Sequence, residues 1–258
     1  MRNKTLPALL LLLLAAAAAD AQAPAAGGGT PLRRSRQLIV VTTPGWDAVG
    51  GTLRRFERES ARGSWSQAGA RVPVVVGRAG LGWGAGLAAA DSDAGPSKRE
   101  GDGRAPAGVF RLGPAFGFAP RGEASWLRVA YRPLTPAVEC VDDTDSRHYN
   151  LVVDRNALKS ADWNSSERMR EVEGYRWGLV VGHNAAPPVA GLGSCIFLHV
   201  WAGPDKGTAG CTALEQVNLE ALLRWLDPAK TPLLVQLPEA EYARLRGVWR
   251  LPALTATR

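Results

Sequence analysis

The chain has 258 residues, 46% hydrophobic and 21% charged, ordinary for a globular protein and long enough for one large domain or two small ones. Its net charge of +7 and pI near 9.8 come from scattered arginines with no nucleic-acid motif beside them, so no nucleic-acid partner is expected. No CxxC or HxxxH spacing and no glycine-rich dinucleotide or phosphate loop is present, so neither a metal nor a cofactor is expected. Residues 1–23 read as a cleaved export leader. Arg2 and Lys4 precede the apolar run Leu6 to Ala19, and Ala19-Asp20-Ala21 fits the small-residue cleavage pattern. The run is too short for a comfortable span, which needs ~20 apolar residues, so the mature chain is expected outside the membrane, periplasmic or secreted. Residues 24–36, with Gly27-Gly28-Gly29, read as a disordered linker. One domain is expected over 37–240, followed by a tail over 241–258.

Within that domain, Gln37 to Thr43 predicts a strand. Val49, Leu53 and Phe56 recur at helical spacing and predict a short amphipathic helix. Ser64–Gln67 and Val72–Val76 predict strands, and Gly77–Gly86, with Trp83, predicts a loop. Lys98–Gly108 is dense in turn residues. Trp126–Tyr131 and Leu151–Val153 predict strands flanking a polar loop that contains Cys140, Asp142 and Asp143, and Ser166–Glu171 predicts a short helix. Trp177–Gly182 predicts a strand antiparallel to the next, Cys195–Trp201. Asn218 predicts a helix N-cap ahead of Leu219, Leu222, Leu223 and Leu226, and Asp227-Pro228 ends that helix. Leu233–Leu237 predicts a closing strand. Trp249 and Leu251 lie in the tail, for which the pattern gives no register. Taken together the pattern is β-rich with a few peripheral helices, and without alternating βα units.

The chemistry-bearing stretch is Ser194-Cys195-Ile196-Phe197-Leu198-His199-Val200-Trp201, followed by Thr208-Ala209-Gly210-Cys211. A strand apolar on both faces is interior to a sheet, and a histidine on it needs a partner or a task. Gly210 permits a positive φ or a close backbone approach beside Cys211. Thr212–Val217 is expected to begin a helical turn, whose N-terminus would stabilise a thiolate at Cys211.

This histidine, followed at twelve positions by Gly-Cys (211 − 199), resembles the signature of the L,D-transpeptidase catalytic domain family. The likeness runs from about Gln37 to Leu237. Ala209 stands where most members carry histidine, and Thr212-Ala213 where an asparagine or arginine is common. Ala105-Pro106-Ala107-Gly108-Val109-Phe110 is similar to the family's Thr-Pro-x-Gly-x-Phe/Tyr element, lacking its threonine. The resemblance implies a mainly β, sandwich-like catalytic domain acting on peptidoglycan stem peptides. It implies Cys211 as nucleophile, His199 as general base and Gly210 in the oxyanion turn. His183, Asn184, Trp201 and Thr208 are expected around the substrate. Hydrolysis of the same bond by a carboxypeptidase or amidase, and a non-catalytic wall-binding module, stay open as alternatives. If Cys211 is the nucleophile, Cys140 and Cys195 are left to pair as a disulfide in an oxidising compartment.

Overall fold

The computed structural model describes residues 31–88, 95–185 and 187–254. The leader and residues 24–30 of the expected linker lie outside these. Residues 31–36 do not behave as a linker: Leu32 and Ser35 are buried, and the Arg58 guanidinium holds the carbonyls of both.

The fold is β-rich, as the pattern implies. An eleven-stranded sheet is built on β1 (Gln37–Thr43), β14 (Leu233–Pro238), β6 (Ala105–Gly117), β11 (Trp177–Val181), β12 (Phe197–Val200), β13 (Thr212–Leu214), β4 (Val72–Val75) and β2 (Gly50–Glu57) as successive neighbours. β2 also pairs antiparallel with β1, so the path curls back on itself into a barrel-like ring. Three short strands, β3 (Ser66–Gln67), β5 (Leu81–Trp83) and β7 (Tyr131–Pro133), attach to β2 and β6. β5 lies inside the glycine-rich stretch expected to be a loop. It runs parallel to β6, with Gly82 opposite Pro106.

Closure decides where sequence periodicity fails. β2 is a strand where Val49, Leu53 and Phe56 predicted a helix. β1 and β4 pair along its two edges, and packing covers residues of both its faces: Leu53 and Phe56, on opposite sides, are buried, and so is Arg54 next to Leu53. A strand covered on both faces carries no two-residue alternation, and three apolar residues then imitate a helical stripe. β1 and β14 are buried along their whole lengths. The one polar side chain inside β14, Gln236, is satisfied: its amide donates to the Pro106 carbonyl at 2.9 Å and accepts from the Thr212 hydroxyl at 2.7 Å. That side chain ties β14, β6 and β13 together behind the loop that ends at Cys211.

Helix α1 (Gln216–Trp225) buries Leu219, Leu222 and Leu223 as the spacing predicts, but it starts earlier. Glu215 occupies the cap position, and Asn218 lies in the first turn with its side chain donating to Glu215. Residues of the tail form most of α2 (Glu239–Trp249), whose Tyr242, Leu245 and Trp249 join the main core. Trp126–Tyr131 is mostly turn rather than strand. Trp126 packs edge-on against Trp177, with Arg224 over its face. No helix among the described residues is long and apolar enough to cross a membrane.

A second sheet, in the order β10-β8-β9, consists of β10 (Ser166–Arg168), β8 (Val138–Val141) and β9 (Val152–Asp154). β10 replaces the first half of the helix expected at Ser166–Glu171; the second half is a single 3-10 turn, Met169–Glu171. Cys140 sits in mid-strand on β8 and forms a disulfide with Cys195, Cα to Cα 5.9 Å. The bond closes a loop of 55 positions. By loop-closure entropy it stabilises the fold by about 4 kcal/mol. A Cys140→Ala/Cys195→Ala variant is therefore expected to unfold at clearly lower urea, with one thiol titrating in the denatured, unreduced parent. Equal unfolding free energies for the two proteins would refute this contribution.

Candidate active site

The site lies where β11, β12 and β13 run side by side. β11 and β12 are antiparallel, with Gly178 opposite His199, as expected of these two strands. β12 and β13 are parallel, with Leu198 opposite Thr212 and His199 opposite Ala213. The loop between them returns the chain to the same end of the sheet, so Cys211 arrives next to the strand that carries His199. Cys211 leads into a strand and not into a helix. The expected help from a helix N-terminus is absent, because α1 begins only at Gln216.

Gly210 serves by close approach and not by a positive φ. A Cβ there would stand 3.2 Å from the Arg104 carbonyl and 3.5 Å from Ile196. Thr208 builds the turn: its hydroxyl donates to the Cys211 carbonyl at 2.6 Å and accepts from the Gly210 N–H at 3.1 Å. Behind the turn runs the side chain of Lys98, nearly fully buried, with its ammonium on Asp102 at 2.6 Å. Asp102 also accepts the backbone N–H groups of Arg99 and Arg104, so it organises the 98–104 loop.

His199 is held through Nδ1, which lies 2.8 Å from the carbonyl of Val200. A carbonyl only accepts, so Nδ1 carries the proton and Nε2 is left as the basic nitrogen. The orienting carbonyl belongs to β12 itself. Gly174 makes room for it, since a Cβ at that position would press within 2.6 Å of the same oxygen. Burial lowers the pKa of His199 from its ordinary value, opposed by the bond to Val200, so the imidazole is neutral at neutral pH.

The Cys211 thiol is buried and is the free cysteine of the three. Its S–H points to the Cys195 carbonyl at 3.5 Å, and the Phe197 N–H donates to the sulfur at 3.3 Å. Tyr175, whose hydroxyl donates to Glu167, lines the same cleft and bears on the thiol's ionisation. Burial, followed by the charge of Glu167, pushes the thiol up to about 12. The direction is opposite to the thiolate stabilisation expected from the sequence. Among the described residues the thiol's hydrogen bonds run to Cys195 and Phe197, not to the imidazole.

A cleft of about 560 Å³ opens over these groups, with Lys98, Glu167, Tyr175, His199, Thr208 and Cys211 in its wall. The remaining expected residues lie elsewhere. His183 is buried, with its Nε2 on the Leu192 carbonyl at 2.8 Å, and it borders a second cavity of about 270 Å³. Asn184 bonds Val189 and Gly193 and so fixes the turn that leads into Cys195. Trp201 is half-buried just past β12 and does not line the cleft. Among the described residues no group of three histidine, cysteine or carboxylate side chains is placed to hold a metal ion, and Cys195 is committed to the disulfide. Tyr175, Glu167 and Gly174 were not singled out from the sequence. The one signal for them was their place just ahead of strand β11.

A family model described as the YkuD L,D-transpeptidase catalytic domain matches residues 61–235. Comparisons with curated proteins and with solved structures gave no match.

Proposed function

The chain belongs to the L,D-transpeptidase catalytic domain family, and on that premise we propose that it is an acyl transferase using Cys211 on peptidoglycan stem peptides. The observation that carries this reading is the arrangement of His199. Its Nδ1 is anchored to a main-chain carbonyl, and its Nε2 is kept for proton transfer in the same cleft as the free thiol. That is the tautomer a general base requires.

In the proposed reaction the thiol turns from Cys195 to Nε2 of His199 when substrate fills the cleft. Nε2 takes the S–H proton as sulfur bonds to the carbonyl carbon. The oxyanion forms at the turn built by Thr208, Gly210 and Cys211, where main-chain N–H groups are at hand. The C–N bond then breaks, and the imidazolium gives its proton to the leaving amine. A thioester on Cys211 remains. An acceptor amine attacks it, loses a proton to His199 and displaces the sulfur, which recovers that proton. The disulfide supports placement in an oxidising compartment, in keeping with the leader pattern of residues 1–23.

Incubation with a disaccharide tetrapeptide, with products resolved by mass, tests the proposal. A cross-linked dimer is expected. Accumulation of the trimmed peptide alone would reassign the enzyme as a hydrolase. Unchanged substrate would leave only a binding module.

A further inference from the structure

The second sheet places a carboxylate beside the thiol. β10 pairs with β8 so that Glu167 stands opposite Cys140, and residues opposed in an antiparallel pair share a face. Cys140 is bonded to Cys195, the residue whose carbonyl receives the Cys211 S–H. The disulfide therefore holds Glu167 over the cleft. Both carboxylate oxygens of Glu167 lie 2.9 Å from the Tyr175 hydroxyl. Tyr175 is itself fixed by edge contacts to Phe116, Phe197 and His199, with centroids 5.4, 5.4 and 5.2 Å away. Tyr175 and Cys211 stand in the wall of one cleft, and the phenol bears on the ionisation of the thiol.

A phenol has one O–H and two claimants here. We infer that Glu167 and Tyr175 form a positioning pair that governs when Cys211 can exist as a thiolate. With Glu167 ionised, the phenol proton is committed to the carboxylate, and a negative charge faces the sulfur. With Glu167 neutral, the phenol turns and donates to the sulfur, and the opposing charge is gone. Both changes favour the thiolate, since a donor to the charged form and the loss of a like charge act in one direction. The groups facing Glu167 are Tyr175 and Asp142, and those facing the thiol are Glu167, Tyr175 and Lys98. Burial, with Asp142 adding to it and the Tyr175 bond opposing it, raises Glu167 to about 6. The carboxyl is therefore ionised at neutral pH, and the resting enzyme holds its thiol in the protonated form.

The inference rests on Cys211 being the nucleophile, but its test needs no substrate, so its failure stays distinct from failure of the transferase reading. The test is the rate of Cys211 alkylation by iodoacetamide against pH, in the intact protein with its disulfide. In the parent, log rate should rise with a slope below one through the range near pH 6 where Glu167 titrates. Glu167→Gln should restore unit slope and lower the thiol midpoint by ~1 pH unit, roughly a tenfold faster alkylation at neutral pH. The gain should shrink when Glu167→Gln is made in a Tyr175→Phe background, which keeps the ring contacts and removes the donor. Unit slope in the parent overturns the inference even if no variant folds. Unchanged or slower alkylation of Glu167→Gln overturns it equally.

Discussion

Cys211→Ala is expected to bring turnover of a disaccharide tetrapeptide to background, a loss on the order of 10⁶-fold, the scale on which removing the nucleophile of an acyl-transfer enzyme acts. The other two cysteines are in the disulfide, and Thr208 has its hydroxyl committed to both ends of its own turn. The fold should survive. Alanine fills most of the space of the thiol, and the groups released are the Phe197 N–H and the carbonyl of Cys195, a residue of the cleft wall. Steady-state assay beside circular dichroism checks both halves. Folded protein with appreciable turnover would remove Cys211 from the mechanism.

His199→Ala should cost ~10²–10⁴-fold, the usual worth of general-base assistance. The pH dependence gives the sharper readout. Burial lowers the pKa of His199, so in the parent the imidazole stays neutral and competent through neutral pH, and activity falls on the acid side as it protonates. The variant should lose that acid limb together with the rate. An acid limb that persists unchanged would assign it to another group. His183 would not be that group, since its Nε2 is committed to the Leu192 carbonyl away from the cleft.

The candidate pair, His199 and Cys211, was legible through the resemblance to the family signature, whose elements are local. A strand apolar on both faces, a histidine within it, and a glycine before a cysteine all sit within about one loop of each other, so the β12–β13 return could be read without knowing the rest of the fold. The disulfide was legible by counting, once the nucleophile was set aside. The features that failed depend on contacts far along the chain. β2 was misread because side chains on both its faces are buried, which removes the two-residue alternation of a strand. The state of the thiol was misread because a short strand, Thr212–Leu214, stands where a helical turn was expected. That strand is chosen by its pairing with β12 and β4, which residues 212–217 alone do not encode. Glu167 lies 44 positions from Cys211 (211 − 167) and carries no motif. Only the β8–β10 ladder brings it into the cleft.

The small sheet is a hydrogen-bonded unit of its own. Residues 138–168 leave the main sheet after β7 and pair only among themselves before the chain returns at β11. Its strands share no ladder with the barrel-like ring, and one covalent bond fastens it beside the active-site strand. Its outward residues can be lengthened or recharged while the strands that carry His199 and Cys211 keep their register, whereas Val138 and Cys140, in one core with Phe116, Phe197 and Cys211, and Asn150, bonded to His183, Asn184 and Cys195, hold its inner face to the site. A change of charge on this unit would therefore reach the thiol without rebuilding the ring.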